Sequence, residues 1–356
     1  MKLKFRIPDS EFRNSRGVAL IMVLWVITIL TVVVLEFCFS MRTEVNITKN
    51  YKEELQLYGI AQGGVQRAIA ELILKHDTRA QQLKKTMKTE EVAPEEPEKK
   101  EWVPDGRPYS LQFDQGECEL RIMSEAGKIN INTISEMTLR KLIGNLGFEA
   151  EKRDTVVDSI LDWRDPDDLY RINGAENDYY QSLKEPYRCK NANLDSIEEL
   201  LLVKGVTPEL FYGRKGAKSE EEGAKASGVG LKDIFSIYAP GEQVDINSAS
   251  LPVLRAVLGL PSEVAKAIVK AREEKGFQNQ QDLVQKVPEL SPFIAEITGR
   301  LVFSSTLTPS TSVYYTIESR GKSKEGGAVR GLKTIVKIDR TDKRGYKIIQ
   351  WVDALI

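Results

Sequence analysis

The apolar run from Val18 to Leu35, set directly behind Arg16-Gly17, limits this chain more than any other feature. At about 1.5 Å per residue it makes roughly 27 Å of helix, enough to cross a thin bilayer, or a thicker one at a tilt. Ahead of it lies a leader, residues 1–17, that carries Lys2, Lys4, Arg6, Arg13 and Arg16 against Asp9 and Glu11. Basic flanks stay cytoplasmic, so the chain after the span is expected on the far side of the membrane. A secretory signal is cut after its apolar stretch, whereas here the small residue Gly17 precedes it. Cleavage between Gly17 and Val18 would remove the leader and keep the anchor. A plain signal-anchor in which Gly17 is incidental fits the segment equally well.

Beyond the anchor, the 356-residue chain has length for two modest folding units. Its 51 basic and 52 acidic residues leave the translocated part close to neutral and slightly acidic. That argues against a broad basic surface for nucleic acid or anionic lipid, and for a protein-binding module. His76 is the single histidine, which removes most catalytic designs built on an imidazole base, so no enzyme activity is expected. Cys38 closes the anchor. Cys118 and Cys189 lie outside it, and in an oxidising compartment they either pair or remain separate thiols.

The helical pattern continues past the membrane. Tyr51, Leu55, Tyr58, Val65, Ile69 and Leu72 recur at steps of three and four or their sum, which makes one face a seam. Anchor and extension together predict one helix of about 55 residues, or two with a hinge at Gly59, Gly63 and Gly64. Thr78 to Pro108 is charged and proline-bearing and reads as a solvated loop. Tyr109–Phe113 and Cys118–Met123 then read as two strands, and Val313–Ser319, Leu332–Ile338 and Tyr346–Val352 as three more. The fold class is therefore α+β: a long N-terminal helix on a small antiparallel sheet, with an all-helical domain inserted into that sheet.

Inside the insertion the sequence repeats. Ile131-Asn132-Thr133-Ile134-Ser135, Ala192-Asn193-Leu194-Asp195-Ser196 and Ile246-Asn247-Ser248-Ala249-Ser250 each precede leucines at helical spacing and then a glycine: Gly147, Gly205 or Gly259. These read as three helix-hairpin units, with Ser219–Gly230 as a flexible loop between the second and third. Helix-hairpin-helix turns often hold DNA phosphates on free amides, so an anchored periplasmic DNA-binding protein is the rival reading. Pro261 has no amide proton to offer, and Glu149 and Glu263 put carboxylates near the anion positions. The repeats are therefore expected to be a packing scaffold that binds no nucleic acid.

The densest chemistry lies between Asp162 and Asp178. Asp162, Asp165, Asp167 and Asp168, with Glu176 and Asp178 beyond them, are opposed only by Arg164 and Arg171. Hard oxygen donors on loops favour calcium over zinc, with Asp165, Asp167, Asp168, Glu176 and Asp178 as candidate ligands. The alternative is a set of helix-capping aspartates on a solvated loop.

The Gly17/Val18 junction resembles the leader of type IV pilins and pseudopilins, which a prepilin peptidase cuts after the glycine. Most members carry Glu at mature position five, where this chain has Met22. The stretches Asp162-Trp163-Arg164-Asp165-Pro166-Asp167-Asp168, Gly174-Ala175-Glu176, Lys190-Asn191-Ala192 and Gly127-Lys128-Ile129-Asn130-Ile131-Asn132 resemble the pseudopilin K family of type II secretion, as does the C-terminal Lys347-Ile348-Ile349-Gln350-Trp351. Cys189, where alanine is usual, and the long charged loop depart from the family pattern. The resemblance implies a minor pseudopilin that starts and caps a pseudopilus for export across the outer membrane. It also implies minor pseudopilins I and J and the major pseudopilin as partners, and calcium in the helical domain. Its location would be the inner membrane, single-pass, with the C-terminal part in the periplasm. The expected divisions are a leader (1–17), a transmembrane helix (18–39), an amphipathic helix, loop and first strands (40–126), an inserted helical domain (127–300) and closing strands (301–356).

Overall fold

The computed structural model describes residues 15–76, 102–213, 228–303, 313–324, 328–339 and 341–354. Helix α1 runs unbroken over Ser15–His76, with no hinge at the glycines. Its anchor portion is fully exposed and is long and apolar enough to cross a membrane. Strands β1 (Asp105–Phe113), β2 (Gly116–Ser124), β3 (Val313–Ser323), β4 (Val329–Ile338) and β5 (Tyr346–Ala354) form one antiparallel meander in chain order. β1 starts inside the segment expected to be a charged loop. Most of that segment, like most of Ser219–Gly230, lies outside the described residues.

The face α1 lays on the sheet keeps the later part of the expected seam, with Val65, Ile69 and Leu72 buried and Tyr58 half-buried, but not its start. Tyr51 and Leu55 are exposed, and the buried line is Leu57, Ile60, Ala61, Val65, Ala68, Ile69 and Leu72. The reason is close approach by small residues. A Cβ on Gly64 would lie 2.3 Å from Cys118 Sγ, and one on Gly321 of β3 would lie 2.3 Å from the Leu57 carbonyl. Ser319 Oγ seals the line by donating to the Ala61 carbonyl at 2.7 Å. Cys118, Leu120, Ile122, Ile317, Leu332 and Val336 complete this core, each large apolar side chain worth about 1.5–3 kcal/mol when fully buried. Gly64→Ala is therefore expected to destabilise by about 1–3 kcal/mol through overpacking. Gly59→Ala, which meets nothing within 4 Å, should stabilise by about 0.5–1 kcal/mol. Equal effects of the two in urea unfolding would refute the close-approach account.

The insertion leaves the sheet at Ser124 and returns at Val313, and Ser124 pairs directly with Tyr315. His76, the last residue of α1, hydrogen-bonds the Tyr315 hydroxyl at 2.7 Å. Leu57 meets the other end of β3, at Gly321, and the anchor continues beyond it. The insertion thus springs from the end of the sheet farthest from the membrane.

The insertion is a repeat of two units, not three. Helices α2 (Glu136–Asn145) and α3 (Ala150–Arg164) make one hairpin, and α4 (Leu251–Ala256) and α5 (Ser262–Glu274) the other. In the first unit, Asn132 both donates to and accepts from the backbone of Leu194, at 3.0 and 2.8 Å. In the second, Asn247 does the same with Phe277, at 2.8 and 2.7 Å. Arg164 donates to the carbonyls of Ile131 and Ile134, and Arg272 to those of Ile246 and Ala249. The segment at Ala192 is the closing piece of unit one, matching Phe277 onward in unit two. The Asp195 amide donates to Glu199 as the Gln278 amide donates to Asp282. Its helix is only a 3₁₀ turn, Ile197–Leu202. Gly147, Gly205 and Gly259 all adopt positive φ (89°, 84° and 70°), and Gly205 joins that 3₁₀ turn to a short helix, Pro208–Tyr212, so what was expected as a full hairpin there is a reduced one. Cys118 lies in the sheet core and Cys189 in the helical core, both as free thiols.

Candidate cation-binding site

The two units differ most between the arginine and the closing segment. Unit two spans it with residues 273–276; unit one inserts residues 165–193. That excursion folds back onto α3, where Asp158 and Asp162, one helical turn apart, are both buried. The Arg171 amide donates to Asp162 Oδ2 at 3.3 Å, and the Asn173 amide and Nδ2 donate to Asp158 Oδ2 at 3.2 and 3.0 Å. Gly174 follows because only glycine fits: a Cβ there would lie 1.8 Å from Asp162 Oδ2. Lys204 reaches in to donate to the Gly174 carbonyl at 2.9 Å.

Further along, Asp168 Oδ1 accepts from the side-chain amides of Asn177 and Asn191, each at 2.8 Å. Asn191 sits at φ 46°, in the left-handed region asparagine tolerates better than most residues. Around this frame several oxygens are stranded. Asp162 Oδ1, Asp165 Oδ1, both Glu176 carboxylate oxygens and Asn191 Oδ1 are buried without a well-formed hydrogen bond, the Cys189 thiol being only a weak donor toward Glu176. Glu176 is 1% and Asp162 0% exposed. Arg171 is the cation beside them, but it stands 3.4 Å from Asp162 and 3.6 Å from Asp165 and is shared with Glu136.

Burial, with the charge of Asp162 added, pushes Glu176 up to about 7; burial likewise pushes Asp162 up to about 6. The Cys189 thiol beside Glu176 is raised to about 12, again by burial, and stays protonated. Buried carboxylates without partners are costly, so such a cluster either takes up protons or takes up a cation.

Of the residues expected as ligands, Asp165, Asp168 and Glu176 stand at this cluster. Asp167 is exposed, its Oδ1 accepting from the Leu169 amide at 2.9 Å as a turn aspartate does. Asp178 is exposed and paired with the Tyr170 hydroxyl. Asp162 and Asn191 were absent from the expected set. The Asp158/Asp162 spacing on a helix was a readable signal for the first; nothing in the sequence marked the second. Among the described residues no three acidic, histidine or cysteine side chains are already gathered as a cage. The stranded oxygens are all hard donors on a turn-rich segment, and they fit calcium better than a soft metal.

A family model for the type II secretion system protein K matches residues 120–213, which covers unit one and the acidic excursion. A second model, the helix-hairpin-helix motif, matches residues 240–297, which is unit two. The protein K of the type II secretion system of Pseudomonas aeruginosa is 27% identical over 288 residues, 78% of each chain. In sequence the chain is thus similar to the type II secretion protein K family. The protein K of Pectobacterium carotovorum is 27% identical over 192 residues, 48% of this chain and 54% of that one. A crystal structure of the GspK-GspI-GspJ complex from enterotoxigenic Escherichia coli contains a chain of the same fold. Its TM-score is 0.55 at 15% identity, covering 86% of this chain and 99% of that one.

In this chain the hairpin turns are ill-suited to phosphate. The Gly147 and Gly259 amides are spent on the Gly144 and Arg255 carbonyls, each at 3.1 Å. Exposed Glu149 and Pro261 cap the helices that follow, with Glu263 in the next turn. Binding to duplex DNA should be no tighter than salt-sensitive background; sub-micromolar affinity in a mobility shift at physiological salt would reverse this.

Proposed function

We propose that this chain works as a minor pseudopilin at the tip of the pseudopilus, where it starts and caps assembly and performs no catalysis. The observation that carries the reading is the insertion's attachment at the membrane-distal end of the pilin-like sheet. A bulky domain there sits above a fibre without obstructing the subunit below, whereas along the shaft it would meet the next subunit up. The anchor supports the same position. Shaft subunits in the family scheme offer a carboxylate at mature position five to a neighbour's N-terminal amine, since opposite charges in lipid are less costly together. Met22 has none to offer.

In this reading a prepilin peptidase cuts between Gly17 and Val18. The mature chain spans the inner membrane once, with its globular part in the periplasm. Its partners are the minor pseudopilins I and J, as the GspK-GspI-GspJ assembly of the relative suggests, and the major pseudopilin. Calcium held by Asp162, Asp165, Asp168, Glu176 and Asn191 stiffens the acidic excursion, with Asp167 and Asp178 at its rim. The stranded oxygens are what support this choice.

Gold labelling of the chain on overproduced pseudopili tests the position. One terminal label per fibre, on a protein whose mature N-terminus is Val18 by mass analysis, is expected. Regular labelling along the shaft, or a mature chain that starts beyond residue 36, would sink the reading.

A further inference from the structure

The acidic excursion does more than strand oxygens. Between its pinned points it turns large apolar side chains outward: Leu169 is 74% exposed, Tyr170 53% and Ile172 99%. These residues are not on a loose tip. Arg171 and Asn173, on either side of Ile172, have their amides held by the buried carboxylates Asp162 and Asp158. The Leu169 amide is held by Asp167, and the Tyr170 hydroxyl by Asp178. In the same domain Leu139, Leu142, Ile160 and Leu161 are within 4% of full burial, and the exposed Leu202 (46%) and Tyr212 (56%) are less exposed than Leu169 and Ile172. Fixed, grouped apolar side chains left in water mark an interaction surface.

We propose that Leu169, Tyr170 and Ile172 form a docking surface for a protein partner that carries an apolar recess rimmed by lysine and arginine. Charge selects this occupant. The patch is edged by Asp165, Asp167, Asp168 and Asp178, while Arg171 is already shared among Glu136, Asp162 and Asp165. Even with a divalent cation bound the rim remains acidic, so an anionic phospholipid surface is repelled and a basic protein surface is drawn in. Single projecting side chains suit a recess better than a flat face. The surface does not depend on the cation reading, because its clamps are hydrogen bonds already made.

The test uses the full-length chain in secreting cells, with calcium present and a photo-crosslinking benzoylphenylalanine at position 172. The expected adduct is a protein segment whose apolar residues are flanked by lysine or arginine. The combined Leu169→Asp and Ile172→Asp variant should lower both adduct yield, probed from position 170, and protein export at least tenfold. Its melting temperature, with and without calcium, should stay at the wild-type value. Ile172→Leu should restore export. A lipid adduct, an adduct to an acidic surface, no adduct, or wild-type export by the double variant would each overturn the proposal. Loss of the calcium shift alone would count against the metal site and not against this surface.

Discussion

Removing divalent cations is expected to lower the melting temperature of the wild-type chain by about 5–10 °C, and restoring calcium to recover it. An ion that binds only the folded state at about a hundred times its dissociation constant adds about 2.7 kcal/mol. For a unit of 150–250 residues each kcal/mol moves the midpoint by about 2–4 °C. Glu176→Gln should abolish most of the shift, because it removes one of the deepest stranded carboxylates. The same residues set a pH dependence in the chelated protein. Asp162 and Glu176 are raised to about 6 and about 7 from ordinary values of 3.8 and 4.5, so the folded state binds more protons than the unfolded one between those limits. Their contribution is therefore fully favourable below about pH 4 and is lost as pH rises through 7. The chelated protein should melt higher at pH 5 than at pH 7.5. With calcium bound the order should invert, since acid displaces the ion. Calorimetry at the two pH values, with calcium or chelator, checks both signs; no calcium shift at pH 7.5 would leave only the capping role for these aspartates.

Arg272→Met is expected to cost about 3 kcal/mol, and Arg164→Met a similar amount. The Arg272 side chain is 4% exposed, donates to two carbonyls of its own unit and stands 4.0 Å from the buried Asp105 of β1. A methionine fills the space but strands both carbonyls and leaves Asp105 to Arg107 alone. Urea unfolding measures this directly. A loss below about 1 kcal/mol for both variants would mean that the arginines do not hold the repeats together.

The architecture was legible because it rests on local pattern. The uninterrupted apolar run, the alternating strands on either side of the insertion and the glycines that end helices each left a one-dimensional trace. What escaped had a three-dimensional cause. Val65, Ile69 and Leu72 of the buried line of α1 were readable, but Ala61, Gly64 and Ala68 carry little apolar signal, and Tyr51 and Leu55 extended the seam to a part of the helix that the sheet leaves exposed. The segment at Ala192 looked like a third hairpin because a closing turn and a hairpin start use the same asparagine, cap and leucines. Only the pairing of Asn132 with Leu194, beside that of Asn247 with Phe277, separates them. The acid-rich segment was visible as composition. Which of its oxygens lose their partners depends on how residues 165–193 fold against α3, and neither the buried position of Asp162 nor the backbone of Asn191 is set by its immediate neighbours in the chain.

The pairing of Ser124 with Tyr315 also bears on the order in which the chain folds. Closing a loop of that length from a flexible chain costs about (3/2)RT ln n, several kcal/mol, before any strand contact compensates. If the helical domain folds first, its ends already lie side by side and the search is over. The meander then closes like an ordinary hairpin, with the insertion as its turn, and β2 and β3 zip from the membrane-distal end downward. A chain whose helical repeats are slow to form would leave the edges of β2 and β3 open meanwhile, inviting pairing with the wrong strand. Rapid local folding of the insertion is thus a safeguard for the sheet that carries it.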